Sequence, residues 1–155
     1  MDATRRAAVL LLATSLAVPA EGIRHHFYYD PPGILSVCYG STTNVDKTKF
    51  YSLDECKARL NTDMLKAIDT VESCVPGLPE RVLAAFADAV YNIGAKIACN
   101  VKQSTAARML KSGDVVGACN QLPRWNKSNI LGIMVALPGL TRRRVAELKV
   151  CLGES

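Results

Sequence analysis

The sequence predicts an α+β protein, a small β-hairpin lobe set on a mainly helical body. Three observations lead there. Aromatic and branched residues surround a Pro31-Pro32-Gly33 turn, several segments after residue 52 repeat apolar residues at helical spacing, and 49% of the 155 residues are hydrophobic. A chain of this length is about one domain long. It carries no internal repeat and no long Pro, Gly or Ser tract, so it reads as compact rather than disordered.

The first element is an apolar run over residues 7–20 (AAVLLLATSLAVPA) behind Arg5 and Arg6, the basic-then-apolar layout of an export signal. Its end, Val18-Pro19-Ala20, offers signal peptidase a site before Glu21. At 14 residues it is shorter than the roughly 17 to 25 of a comfortable membrane span. Its Ala, Thr and Ser content makes it only weakly hydrophobic. A third fate is therefore open, in which the segment first lies in the membrane and later leaves it. The plain alternative is the buried first helix of a protein that stays inside.

Residues 23–44 follow as the hairpin, carrying Phe27, Tyr28, Tyr29, Ile34, Leu35, Val37 and Tyr39 around the Pro-Pro-Gly turn. Ser52-Leu53-Asp54-Glu55 is a capping-box pattern that opens a long helix over residues 52–72, whose apolar positions run Leu53, Cys56, Leu60, Met64, Ala67, Ile68 and Val71. Residues 81–91 are apolar on nearly every side, which places that helix in the middle of the core, with Gly94 to end it. Short helices are predicted over 105–110 and 114–122, separated by Ser112-Gly113. Residues 129–137 read as a short apolar helix stopped by Pro138-Gly139, and 141–152 as a last helix with a Thr141 cap.

The formal net charge is +5, which suits any anionic polymer and selects none. No zinc-finger, basic-zipper or aromatic-rich single-strand-binding pattern supports a nucleic-acid partner. Six cysteines at positions 38, 56, 74, 99, 119 and 151 form no C-x-x-C pair, so zinc and thioredoxin chemistry lose their usual support. Behind an apolar N-terminus an even cysteine count favours three disulfides and an oxidising compartment, although six reduced core thiols are the plain alternative. Fifteen pairings are open from sequence alone. His25 and His26 lack a third ligand, so a surface or cleft-rim role is the reading for them, with no metal and no cofactor. Trp125 reads as a core anchor, and Tyr28 and Tyr29 are left unassigned.

Two acids on opposite walls of a cleft meet the needs of glycosidic hydrolysis, one protonating the leaving oxygen and the other activating water from about 6.5 to 9.5 Å away. Glu21 falls where the N-terminal helix ends and Asp30 at the tip of the hairpin, so the elements place them across a gap. Ser36, on the returning strand, brings a hydroxyl able to hold the water. Acids near turns are usually solvated, and these residues alone carry little weight.

The stretch EGIRHHFYYDPPGILSVCYG (21–40) resembles the catalytic motif of phage-type lysozymes, a Glu, eight residues, an Asp, five residues and a Thr. Glu21, Gly22, Asp30, Gly33 and Gly40 stand at matching positions. FADAVYNIG (86–94), MLKSGDVVGACNQLPRW (109–125) and LTRRRVAELKVCLG (140–153) resemble that family's later helices, so the likeness covers nearly everything after residue 20. It implies a lysozyme-like fold and an endolysin of glycoside hydrolase family 24, a monomeric muramidase that cuts between N-acetylmuramic acid and N-acetylglucosamine in peptidoglycan. The catalytic residues would be Glu21, Asp30 and Ser36. Glu21 would be the general acid, requiring partial burial to hold its proton. Asp30 would stay ionised, orienting water or stabilising charge on the sugar. Ser36 replaces the family's usual Thr and loses the methyl group that stiffens the rotamer. Tyr39 and Ser41 stand where related enzymes often have His. Arg143 or Arg144 would pair with Glu21, or form a plain solvated run. The resemblance also suggests pairing Cys38 with Cys56, Cys74 with Cys99, and Cys119 with Cys151.

Residues 1–20 would then be a signal-anchor or signal segment and 21–155 the catalytic domain, exported to the inner membrane and periplasm of a Gram-negative host. In the signal-anchor-release form, residues 7–20 hold the enzyme at the inner membrane and later refold as its first helix. Two competing readings remain at this level. One is a lysozyme-fold protein that binds glycan without cutting it, favoured by Ser36, Tyr39 and Ser41. The other is a membrane-disrupting cationic protein whose last helix turns Arg142, Arg143, Arg144 and Lys149 to lipid.

Overall fold

The computed structural model describes residues 1–154. Among these the chain is mostly helical, with two small antiparallel hairpins. The first helix, α1 (Ala3–Glu21), starts behind Asp2, whose carboxylate accepts the Arg5 N–H at 2.8 Å. At 19 residues and a mean hydropathy of 1.2 it is long and apolar enough to cross a membrane, since helix begins four residues before the apolar run. Here it is docked on the body, burying Val9, Ala13 and Ala17 against the core, with Leu16 also covered. Arg5 donates to the Leu78 carbonyl and Arg6 pairs with Asp69, so the basic flank fastens the docked helix.

Strands β1 (Arg24–Tyr29) and β2 (Leu35–Cys38) form the first hairpin, with Tyr28 opposite Ser36 and Tyr29 opposite Leu35. Helix α2 (Leu53–Cys74) carries the capping box the sequence announces: Ser52 Oγ accepts the Glu55 N–H and Glu55 returns a carboxylate to the Ser52 N–H. Helix α3 (Glu80–Ile93) is the centre of the molecule, buried from Val82 to Val90 and packed by α1, α2 and the last helix. Short helices α4 (Lys96–Cys99), α5 (Thr105–Ser112) and α6 (Val115–Gln121) close one end, followed by a 3-10 turn over Leu122–Arg124. Trp125 packs half-buried against the core beyond it.

Residues 129–137 are not a helix. They contribute to a second hairpin, β3 (Lys127–Ile130) and β4 (Ile133–Ala136), paired in continuous register. The Leu131-Gly132 turn has both residues at positive φ, +51 and +85, the conformation that matches strand twist in a two-residue hairpin loop. Asn129 Oδ1 accepts the Gly132 N–H at 2.8 Å. The apolar run misleads because β4 is exposed throughout and never enters the core. The last helix, α7 (Pro138–Leu152), starts a turn before Thr141, with Pro138 in the first turn, where its missing N–H costs nothing.

Three disulfides join Cys38 to Cys56, Cys74 to Cys99 and Cys119 to Cys151, the pairing that the resemblance suggested, and no described cysteine is free. Spanning 18, 25 and 32 residues, each contributes about 3–4 kcal/mol in the chain-entropy account. The first ties the strand bearing Ser36 to α2.

Candidate active site

A cleft of about 1080 Å³ lies between the first hairpin and the helical body, and Glu21, Asp30 and Ser36 all line it. Each arrives from a different place. Glu21 is the last residue of α1, which stops because Gly22 turns to a φ of +64 while its N–H still bonds the Val18 carbonyl at 3.1 Å. Asp30 closes the hairpin loop. Its Oδ1 accepts the Ile34 N–H at 2.7 Å and its own N–H donates to the Ile34 carbonyl at 3.0 Å. Ser36 is 1% exposed on β2, and its hydroxyl donates to the Ile34 carbonyl at 3.1 Å. That bond fixes the hydroxyl hydrogen and leaves the oxygen as an acceptor.

Glu21 is largely enclosed, its side chain 18% exposed. Arg143 from α7 pairs with its Oε1, and Asn92 from α3 donates to the same oxygen at 3.5 Å. Gly40 backs the other side: a Cβ there would stand 3.0 Å from Glu21 Oε2. Of the two arginines considered, Arg143 makes the contact. Arg144 instead donates to Asn92 Oδ1 at 2.9 Å and Glu147 Oε1 at 2.6 Å. Both arginines are buried, at 4% and 0% exposure, so α7 does not turn them to lipid, and the cationic membrane-disrupting reading keeps only Arg142 and Lys149 of its four basic residues on the surface.

Arg143 also grips Asp88 of α3 with two hydrogen bonds, Nε to Oδ2 at 2.9 Å and Nη2 to Oδ1 at 2.7 Å. Burial alone would lower the Arg143 pKa, but Asp88, Glu21 and Glu147 together push it up, which keeps the guanidinium charged. Burial and then the negative charge of Glu21 raise the phenols of Tyr28 and Tyr91 above their ordinary value, so both rings stay neutral beside the acid. Asp88, Asn92 and Glu147 did not stand out in the sequence. An Asp inside an all-apolar helix was the available signal, since a buried charge requires a partner.

Tyr39 and Ser41 serve the scaffold. The Tyr39 carbonyl accepts from the Tyr91 hydroxyl, and Ser41 Oγ accepts from Arg59 at 3.1 Å while its backbone bridges to Val37. His25 lies on the hairpin, its ring stacked on Phe50 at 4.8 Å and bonded through Nδ1 to the Tyr51 carbonyl. Among the described residues no group of three or more His, Cys, Asp or Glu is arranged to hold a metal.

The family model described as phage lysozyme matches residues 19–147. The chain is 37% identical to the SAR-endolysin of bacteriophage PS119 over 134 residues, covering 85% of this chain and 76% of the relative. Among solved structures, the active form of the P1 phage endolysin Lyz superposes with a TM-score of 0.78 at 24% identity, over 92% of this chain and 83% of that one. The muramidase domain of SpmX from Asticaccaulis excentricus gives 0.75 at 25% identity, over 94% and 95%.

Proposed function

From the premise that the chain belongs to the phage lysozyme family, we propose that it is an endolysin that hydrolyses the β-1,4 bond between N-acetylmuramic acid and N-acetylglucosamine in peptidoglycan. The observation that carries this reading is the meeting of Glu21, Asp30 and Ser36, from a helix end, a loop tip and a strand, on one cleft. Glu21 is the general acid, its Oε1 held by Arg143 and Asn92, and it delivers a proton to the leaving oxygen. Asp30, pinned by the Ile34 N–H, acts as the carboxylate that orients water or answers positive charge on the sugar. Ser36 accepts a hydrogen bond from that water. The muramidase name of one structural neighbour and the endolysin names of the relatives support the bond and the polymer.

The protein is exported, and residues 7–20 hold it at the inner membrane of a Gram-negative host before release into the periplasm. Support comes from an N-terminal helix apolar and long enough to span, and from the SAR (signal-anchor-release) name of the relative. Release is required for activity because Glu21 belongs to that helix. Residues 1–20 are thus both anchor and first helix, with residues 21–155 supplying the rest of the catalytic domain.

The test is analysis of fragments released from purified peptidoglycan, with Glu21→Gln as control. Reducing ends at muramic acid, with the opposite anomer to the substrate, agree with an inverting muramidase. Reducing ends at glucosamine, or undiminished release by Glu21→Gln, overturn it.

A further inference from the structure

The charges behind Glu21 exceed what is needed to hold it. Facing the acid are Tyr28 from β1, Asp88 and Tyr91 from α3, and Arg143, Arg144 and Glu147 from α7, with Asp63 of α2 beyond Tyr91. Asp88, Arg144 and Glu147 are fully buried and Arg143 nearly so. Burying ions costs several kcal/mol each unless they are balanced. Two guanidiniums, those of Arg143 and Arg144, stand here against the three carboxyl groups of Glu21, Asp88 and Glu147. Glu147 Oε2 is buried without a partner, and burial first, then the nearby Asp88 carboxyl, pushes the Glu147 carboxyl well above its ordinary range. A neutral Glu147 leaves Asp88 as the carboxylate that answers Arg143.

That division of charge matters for an acid catalyst. An arginine whose charge falls on one carboxyl alone favours the ionised form of that carboxyl and so removes the proton the reaction needs. We propose that Asp88 is a positioning residue for the hydrolysis: its two-point grip fixes Arg143 and takes up its charge, so that Arg143 orients the Glu21 carboxyl in the cleft without its full charge falling on that carboxyl. The proposal rests on Glu21 being the general acid. Asp88 itself touches no substrate, since it lies beneath the cleft with its whole surface covered.

The experiment is the pH–rate profile of peptidoglycan clearance by the full chain at constant ionic strength, for the unsubstituted protein, Asp88→Asn, Glu147→Gln and Glu21→Gln. Asp88→Asn is expected to move the alkaline limb about one pH unit lower, a roughly tenfold loss on that limb with little loss at the acid end and KM unchanged. Glu147→Gln replaces a neutral group and moves the limb less. A loss by the same factor at every pH, an unmoved limb, or a larger shift in Glu147→Gln overturns the role of Asp88. If Asp88→Asn does not melt cooperatively, carboxyl carbon NMR of the unsubstituted protein decides. A charged Asp88 across the active pH range supports the role and a neutral one overturns it. An active Glu21→Gln sinks the general-acid reading itself, whereas an inactive one beside an unmoved Asp88→Asn limb sinks only the proposal about Asp88.

Discussion

Gly40→Ala separates the demand of the backbone from the demand of the site. Gly40 has a φ of +85, where an L side chain costs about 1–2 kcal/mol. The smaller entropy of an unfolded Ala returns about half of that, leaving a net loss of roughly 1 kcal/mol. For a domain of this size the loss lowers Tm by about 2–4 °C. The second effect is local. The new Cβ would lie 3.0 Å from Glu21 Oε2, so the carboxyl must give by a few tenths of an ångström while Arg143 and Asn92 hold its other oxygen. Misplacing a reacting group by 1 Å costs about a hundredfold in rate, so roughly tenfold is expected here. Gly77→Ala is the control, since Gly77 has a φ of +80 and nothing within 4 Å of a Cβ. Thermal melts and initial rates of clearing per folded molecule are compared for both variants. Equal Tm losses with a rate loss only in Gly40→Ala are expected; a rate loss shared equally by Gly77→Ala would refute the reasoning.

Two further outcomes follow from backbone and charge. Leu131 is 98% exposed at a φ of +51, so Leu131→Asn relieves a strained position without removing any packing and is expected to raise Tm by about 1–3 °C; an unchanged or lower melt contradicts this. Glu147 has its folded pKa raised above the ordinary 4.5, first by burial and then by Asp88. Its stabilising contribution is therefore complete below that value and is lost as pH rises through the folded pKa. Glu147→Gln does not titrate, so melts from acid to neutral pH should show stability shifting in favour of the variant as pH rises. A constant difference across that range contradicts the raised carboxyl.

Much of the fold was legible because it rests on local chemistry. The Ser52–Glu55 capping box, the run of residues 82–90 that is apolar at every position but Asp88, and the Pro-Pro-Gly turn each fix an element without reference to the rest of the chain. Residues 129–137 defeated the same logic. Their Ile, Met and Val content suits an apolar helix as well as a strand, and only their exposure, a tertiary fact, distinguishes the two. In the site, the spacing of Glu21, Asp30 and Ser36 could be read, but the choice of Arg143 over Arg144 could not. It depends on how α7 is rotated against α3, and adjacent residues on a helix point about 100° apart. Asp88 and Asn92 lie four apart on α3, one turn of helix, and so reach Arg143 and Arg144 on the facing helix.

The proposed release step makes α1 answer to two environments, and Ala13 is where they conflict. Docked, Ala13 has no exposed surface and packs against the core, whereas Leu11 on the same helix is 72% exposed and contributes little to docking. A larger side chain at position 13 both raises the helix's preference for lipid and overpacks the docked face, by about 1–3 kcal/mol. The same Ala-to-Leu enlargement at Ala7, exposed on the same helix, raises lipid preference alone. Ala13→Leu should therefore retain the protein in the membrane fraction and delay lysis, and should slow clearing by detergent-solubilised protein because Glu21 is carried by the displaced helix. Ala7→Leu should raise membrane retention while leaving the solubilised activity intact. If Ala13→Leu partitions and clears as the unsubstituted chain does, then the docked position of α1 does not govern where Glu21 lies, and the coupling of anchor to acid fails.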